Sequence, residues 1–226
     1  MLAFWRGRDE QARAAFQLGR EVARDSEDRT TEALALAGLA RIALRAGQTE
    51  RARSLCGEAL HIVEDSDDTA GRSSAIHVLS VAAQMSGDLN TARDLMQQRT
   101  EMARKRGALS VVSTEASNLS AVERQLGNRA RAKELALEAL DIEVQRSDEW
   151  AIPYTLNQLA AVAVETGDFA RAATLLGAAT RMVEEQGAEW PPDELPVLQT
   201  SRDAAAASTC CRRLRASVVP WRGPIC

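Results

Sequence analysis

Apolar side chains return along this sequence at helical spacing, and the same arrangement recurs every forty residues. Relative to each of Gly47, Gly87, Gly127 and Gly167, a leucine stands eight positions before, a small residue seven before and an alanine five after. The offsets within each half are separated by three, four or seven positions, which places the side chains on one face of a helix. The leucines are Leu39, Leu79, Leu119 and Leu159; the small residues are Ala40, Ser80, Ser120 and Ala160; the alanines are Ala52, Ala92, Ala132 and Ala172.

Each forty-residue unit therefore predicts two amphipathic helices joined at the glycine. Glycine adopts the left-handed conformation that ends a helix at little cost, so we expect the first helix to end there. The residues that follow, Asp88, Asn128 and Asp168, are expected to cap the second helix by accepting a backbone N–H. Polar stretches such as 24–29, 64–71 and 104–108 mark the turn between one unit and the next.

A single helix pair cannot cover its own apolar faces, so each pair must stack on the next. The predicted fold class is all-α, a right-handed superhelical array of antiparallel helix pairs with a forty-residue period. The expected boundaries are a partial repeat over 1–29, repeats over 30–69, 70–109, 110–149 and 150–185, a capping helix over 190–207, and a disordered tail over 208–226.

Residues 1–7, "MLAFWRG", align with the last turns of a first helix, so the chain is expected to begin within a repeat. The second helix of that repeat then lacks its full partner, and we expect Phe16 and Val22 to face water or another chain. The aromatic pair Trp150 and Trp190, also forty residues apart, is expected to pack across the turn between repeats.

The composition argues against several classes of function and location. The net charge is −4 and aromatic residues make up only 4%, so neither a basic face nor a base-stacking surface for nucleic acid is expected. The longest apolar run, 159–164, is far too short to span a membrane, and the N-terminus lacks the apolar region of a signal peptide. Four cysteines without a framework spacing favour a reducing compartment, and we expect a cytoplasmic protein.

These columns resemble the tetratricopeptide repeat (TPR). The resemblance rests on the leucine, the small residue after it, the glycine turn followed by Asp or Asn, and the alanine five positions after the glycine. It covers about residues 1–185. The sequence departs from the family in its longer period, forty rather than thirty-four, and in having no column of tyrosines: Ala43, Ala83, Glu123 and Ala163 stand where a tyrosine is typical.

A narrower resemblance lies in residues 167–194. The segments "RAATLLGAA" (171–179) and "WPPDE" (190–194) are similar to the closing part of the repeat region in LuxR-type and SARP-type transcriptional regulators that carry an ATPase domain of the STAND class. The resemblance implies a sensor or scaffold region that works with an upstream ATPase domain. No Walker-type glycine loop occurs in this chain, so the chain itself is not expected to bind a nucleotide.

In such an array the first helices line the concave face, and this resemblance makes their polar residues the candidate binding site. Asn and Gln side chains there are suited to pair with the backbone of an extended peptide. The alternative is a solvated face without a ligand. The candidate residues are Arg41, His77, Gln84, Ser117, Asn118, Arg124, Tyr154, Asn157 and Gln158.

Nothing in the sequence predicts catalysis. His61 and His77 belong to different helices, and no Ser-His-Asp order, nucleophile elbow or H-E-x-x-H pattern occurs. The acidic stretch 64–68 lacks the glycine and distal glutamate of a calcium loop. We therefore expect no catalytic residue, no cofactor and no metal. The predicted function is a non-enzymatic protein–protein interaction module that binds a protein or peptide partner; the alternative is an array that senses a small ligand.

Overall fold

The computed structural model describes residues 8–65, 69–190 and 194–217, with side chains described as far as residue 207. All regular structure in these residues is helical, in agreement with the all-α prediction. The ten helices are α1 Asp9–Asp25, α2 Arg29–Arg45, α3 Thr49–Ile62, α4 Thr69–Met85, α5 Leu89–Lys105, α6 Leu109–Gln125, α7 Arg129–Gln145, α8 Ile152–Glu165, α9 Phe169–Glu185 and α10 Leu195–Ser217. None of the described helices combines the length and apolarity needed to cross a membrane.

The helices stack in sequence order. Each packs against its neighbours along the chain, and first helices also contact the first helix of the next pair, as α2 contacts α4 and α6 contacts α8. We call α2, α4, α6 and α8 the first helices and α1, α3, α5, α7 and α9 the second helices. Helix α10 packs on both α8 and α9, in the place of a further first helix. The chain is thus an α-solenoid of antiparallel helix pairs.

The predicted left-handed glycines are confirmed. Gly47, Gly87, Gly127 and Gly167 have φ between +72° and +86°. The turns between repeats use the same geometry, twenty residues further on, at Gly107 and Gly187 but also at two non-glycine residues. The latter are Glu27 and Ser147, with φ of +56° and +53°. In the three repeats whose two turns are both described, the turns are therefore equivalent, although glycine marks only one of them consistently in the sequence.

The capping prediction holds at two of three positions. Asp88 accepts from the backbone N–H of Thr91 at 3.2 Å, and Asp168 accepts from Arg171 at 3.1 Å. The prediction for Asn128 is wrong: its side chain makes no cap, because its Nδ2 donates to Glu123 Oε2 at 2.7 Å. A side-chain amide can donate as well as accept hydrogen bonds, and here it donates to a nearby carboxylate instead of accepting from the helix N-terminus.

The two small columns lie in the interior of the array. All eight members of the two small columns, the small residues seven before and the alanines five after each glycine, are fully buried, in agreement with the pattern. Ser120 Oγ donates to the carbonyl oxygen of Ala132 at 2.7 Å, directly joining α6 to α7. The leucine column is interior as well: Leu119 and Leu159 are buried, and Leu39 and Leu79 are half-buried.

The first described helix is better covered than the sequence suggested. Phe16 was expected to face water or another chain, but its ring packs on α2 beside Ile42. A Cβ added to Gly38 would lie 2.5 Å from the Phe16 ring, so the absence of a side chain at Gly38 makes room for it. Val22 is 58% exposed, as predicted, and Leu18 is 61% exposed. Residues 1–7, on which the expected start within a repeat rests, lie outside the described residues.

The C-terminal end departs from two expectations. Helix α10 runs over Leu195–Ser217 rather than 190–207, so it continues into part of the stretch predicted to be disordered. Pro196 fits its first turn, where no backbone donor is needed, and four consecutive alanines favour continuation. Residues 218–226 lie outside the described residues. Trp190 packs on Tyr154, whereas Trp150 is 42% exposed, so the expectation that both pack across the turn between repeats holds only for Trp190.

Candidate functional site

The nine candidate residues all lie on first helices, one on α2, two on α4, three on α6 and three on α8. They fall into two groups. One group makes polar contacts between consecutive repeats and is largely buried. The other group keeps polar atoms at the surface. The members of the first group are Arg41, His77, Ser117, Asn157 and Gln158, and those of the second are Gln84, Asn118, Arg124 and Tyr154.

His77 on α4 contacts the next first helix. Its Nδ1 lies 2.8 Å from Glu115 Oε1 on α6. Glu115 is fully buried and also accepts from Arg99 Nη1 on α5, while Arg99 Nε donates to Ser73 Oγ at 3.0 Å. A buried carboxylate is tolerated because a guanidinium compensates its charge and an imidazole nitrogen lies within hydrogen-bond distance of it.

The charges of this cluster alter one another. Burial by itself raises the pKa of Glu115, but His77 and Arg99 together hold it below its usual value. Burial lowers the pKa of His77, with Glu115 opposing the change. Burial and the charge of Arg99 lower the pKa of Arg41 to about 10. At neutral pH Glu115 is therefore ionised and His77 is neutral.

Ser117 on α6 makes the same kind of contact one repeat later. Its Oγ lies 3.1 Å from Thr155 Oγ1 on α8, and Thr155 Oγ1 donates to Glu143 Oε1 on α7 at 3.0 Å. Glu143 is 1% exposed and has no cationic partner in the described structure, and its Oε2 accepts no hydrogen bond. Burial, with a contribution from Asp148, raises the pKa of Glu143 to about 7.

Asn157 and Gln158 on α8 contact the residue just before α10. Asn157 Nδ2 donates to Glu194 Oε2 at 2.8 Å, and Gln158 Nε2 donates to the same oxygen at 3.2 Å. Asn157 is fully buried and Gln158 is 4% exposed. Their amide donors therefore bind this chain's own carboxylate.

The first two contacts are equivalent, and the third is similar. The joined residues are 38 positions apart in the first two cases and 37 in the third. Each joins a first helix to the start of the next one, and we call the set the polar ladder. Between the first two complete repeats the corresponding residues are Ala37 and Ala75, both fully buried. The polar ladder thus begins at the second complete repeat. Its members are His77–Glu115, Ser117–Thr155 and Asn157–Glu194.

The second group of candidates is half-buried. Gln84 and Asn118 are half-buried, and in the described part of the chain their side-chain amides form no hydrogen bond. Arg124 Nη1 donates to Glu165 at 2.8 Å, which joins α6 to α8. Tyr154 meets Trp190 edge-to-face, with ring centroids 5.7 Å apart.

Sequence reasoning missed the partners in the polar ladder, although a signal was present. Glu115 stands in a column that is Ala35 and Ala75 in earlier repeats, and Glu143 in one that is otherwise Val63, Ala103 and Val183. A charged residue in a column of small apolar residues indicates a buried polar contact rather than a solvated face. The missed residues are Ser73, Arg99, Glu115, Glu143, Thr155 and Glu194.

Within the described ranges, no group of three or more His, Cys, Asp or Glu side chains has the arrangement to hold a metal ion. Cys56 is fully buried, and burial raises the pKa of its thiol to about 12, so it stays protonated at neutral pH. The buried acids contact bases and hydroxyls of neighbouring helices. These polar contacts hold consecutive repeats together. The nearby side-chain amides that form no hydrogen bond in the described structure can bind another molecule.

Comparison with solved structures supports the TPR-like fold. BtubC (BKLC) from P. vanneervenii superposes with a TM-score of 0.66 at 20% identity, over 96% of this chain and 95% of BtubC. A protein of Podosopora anserina described as a kinesin light chain with nearly identical TPR-like repeats gives a TM-score of 0.56 at 19% identity, over 80% of this chain and 90% of that one. The apo form of RapI gives 0.61 at 13% identity, over 96% of this chain and 63% of RapI.

No protein-family model matches the sequence, and no curated protein matches it either. At these identities the solved structures establish the shared fold, an array of TPR-like helix pairs.

Proposed function

We propose that this chain is a non-enzymatic interaction module that binds a segment of a protein partner along its first helices. The observation that carries the proposal is the state of Gln84 and Asn118. Both are half-buried on first helices, and both keep amide groups that bond to nothing in the described structure. An amide offers one acceptor and two donors, which matches the alternating groups of an extended backbone.

The polar ladder supports the same function by holding the helices in fixed register. A rigid surface loses little conformational entropy when a partner binds, which favours affinity. The edge-to-face pair of Tyr154 and Trp190 adds an aromatic surface beside the amides. Aromatic residues are enriched where proteins bind one another.

The test compares two double variants in partner capture from the native cell. Gln84→Ala with Asn118→Ala removes the two open amides. Gln97→Ala with Gln98→Ala removes two exposed amides from the second helix α5 and serves as the control. We expect the first variant to recover its partner at least about tenfold less well than wild type, as for loss of two interfacial hydrogen bonds.

The control variant is expected to recover the partner like wild type. Equal recovery by all three proteins would contradict the proposed site, and equal loss in both variants would show that the effect is not specific to the first helices. Mass spectrometry of the captured material distinguishes a protein from a bound small molecule, which is the alternative function.

We further propose that the module belongs to a bacterial transcriptional regulator and works with an ATPase domain. This rests on the resemblance of 171–179 and 190–194 to the closing repeat of such regulators. In-frame translation of the DNA upstream of Met1 tests it. A Walker-type glycine loop there would support the regulator, and a stop codon immediately upstream would contradict it.

A further inference from the structure

A cleft of about 290 Å³ opens between the second helices α1 and α3. Its walls carry four arginines, and two leucines lie between them. The lining residues that matter here are Arg13, Arg20, Arg24 and Arg51 with Leu39 and Leu55, and we call this site the arginine cleft. Apart from Leu39 on α2, these residues lie on the second helices α1 and α3, and the cleft contains neither Gln84 nor Asn118 of the proposed function.

The arginines differ in whether a carboxylate of this chain already lies beside them. Arg20 pairs with Glu58 and lies 3.6 Å from Glu32, and Arg24 lies 3.7 Å from Glu32. Arg13 and Arg51 form no ion pair and no hydrogen bond in the described residues. Their guanidinium groups are therefore available, and Glu21 is the only carboxylate among the residues that line the cleft.

The same residue types recur eighty positions later without forming such a site. Arg93, Arg104 and Arg131 correspond to Arg13, Arg24 and Arg51, and Leu119 and Leu135 correspond to Leu39 and Leu55. There each arginine has a hydrogen-bond partner within the chain, and the two leucines are buried. Arg93 donates to Asn90, Arg104 to Glu138 and Arg131 to Glu134, and Leu119 and Leu135 are only 5% and 6% exposed.

The open cleft thus differs from its internal counterpart in the two properties that a ligand would use. Its arginines Arg13 and Arg51 lack partners, and its leucines Leu39 and Leu55 are half-buried instead of buried. One cause is visible in the sequence. Arg20 stands at the position that corresponds to Thr100, eighty residues later. The cleft therefore has a long side chain where its counterpart has a short, buried one.

We propose that the arginine cleft binds an acidic segment of a protein partner, with its carboxylates on Arg13 and Arg51 and an apolar side chain on Leu39 and Leu55. Guanidinium groups bind carboxylates through two parallel hydrogen bonds, which gives both strength and orientation. A nucleic acid fits less well because two of the four arginines, Arg20 and Arg24, already lie beside carboxylates of this chain. Nucleic-acid binding also needs a longer basic track than four arginines provide.

The test measures fluorescence anisotropy of a labelled peptide of about eight residues in which glutamate and leucine alternate, long enough to span roughly 26 Å when extended. We expect Arg13→Ala with Arg51→Ala to weaken binding at least about tenfold, and more at low salt than at high salt. The matched control is Arg93→Ala with Arg131→Ala, which removes equal charge from corresponding columns and is expected to change the dissociation constant less than about twofold.

Two further probes fix the chemistry: the same peptide with glutamine in place of glutamate, and a single-stranded oligonucleotide. The proposal expects the glutamine peptide to bind at least about tenfold more weakly. Equal binding of both peptides, equal loss in both double variants, tighter binding of the oligonucleotide, or no glutamate-peptide binding at about 1 mM would each overturn it. Arg51 is exposed, so Arg51→Ala alone, with an unchanged melting temperature, gives a variant that keeps the fold.

Discussion

His77 Nδ1 lies 2.8 Å from Glu115 Oε1, thirty-eight residues further along the chain, and this contact ties two consecutive repeats together. The same step recurs as Ser117 with Thr155. The helices therefore stack with the same spacing in consecutive repeats. The residues that form the contact differ, because the first is an ionic cluster and the second is a pair of hydroxyl groups. This explains why a polar column on the first helices is buried.

Replacing Glu115 with alanine is expected to destabilise the protein strongly. The substitution leaves Arg99, which is 8% exposed, without its carboxylate, and an uncompensated buried charge costs about 3–5 kcal/mol. Urea unfolding followed by circular dichroism measures the change in the free energy of unfolding.

Glu101→Ala is the control, because Glu101 lies on the exposed face of α5 and pairs with Lys105 only at the surface. Its loss is expected to cost no more than about 0.5 kcal/mol. If both substitutions cost the same small amount, the cluster around Glu115 does not hold the repeats together.

Glu143 is expected to make stability fall as the solution is made more alkaline. Its pKa is raised from 4.5 to about 7 by burial, so below pH 4.5 the carboxyl is neutral in both folded and unfolded chains. As pH rises towards 7 the unfolded chain releases this proton and the folded chain retains it. Stability is therefore lost across that window, by about 3 kcal/mol at about 1.4 kcal/mol per pKa unit.

Glu143→Gln removes this titration while keeping a similar shape. The difference in unfolding free energy between variant and wild type is expected to move in favour of the variant between pH 4.5 and pH 7, and to stay constant above that range. A difference that does not change with pH would mean that Glu143 ionises normally in the folded protein.

Two glycine substitutions are expected to have opposite signs. Gly87 has φ of +81° with nothing within 4 Å of an added Cβ, so Gly87→Ala is penalised by the backbone alone, at roughly 1–2 kcal/mol. Gly57 lies inside α3, also with open space, so Gly57→Ala is expected to stabilise by about 0.5–1 kcal/mol through helix propensity. Thermal melting of the two variants decides the matter, and a stabilising Gly87→Ala would contradict the turn geometry.

The sequence predicted the fold well because the recurring residues mark positions where the fold restricts side-chain size or backbone conformation. Alanine recurs at Ala92 because that position is fully buried, and glycine recurs at Gly87 because a φ of +81° favours it. It predicted side-chain partners poorly. Asn128 was expected to cap a helix but bonds Glu123, and His77 was placed on an open face but contacts Glu115. A column fixes the direction of a side chain, whereas its partner depends on residues of the neighbouring repeat.

The left-handed turn at Ser147 shows a second limit. Glycine is the residue type that indicates this conformation in a sequence, yet Ser147, between the packed helices α7 and α8, adopts it with φ of +53°. The equivalence of the two turns, in the repeats where both are described, was therefore visible only in the structure.

The register of the polar ladder is tested most directly by cross-linking one of its steps. Ser117 and Thr155 have oxygens 3.1 Å apart, close enough for introduced thiols to form a disulfide. Ser117→Cys with Thr155→Cys, in a background in which Cys210, Cys211 and Cys226 are serine, is expected to oxidise to an intramolecular bond detected by peptide mass spectrometry. Thr114→Cys with Thr155→Cys, in which Thr114 lies on the exposed face of α6, is expected to stay reduced. Failure of the first pair to link while the protein remains folded, or equal linking of both pairs, would contradict the stacking of repeats described above.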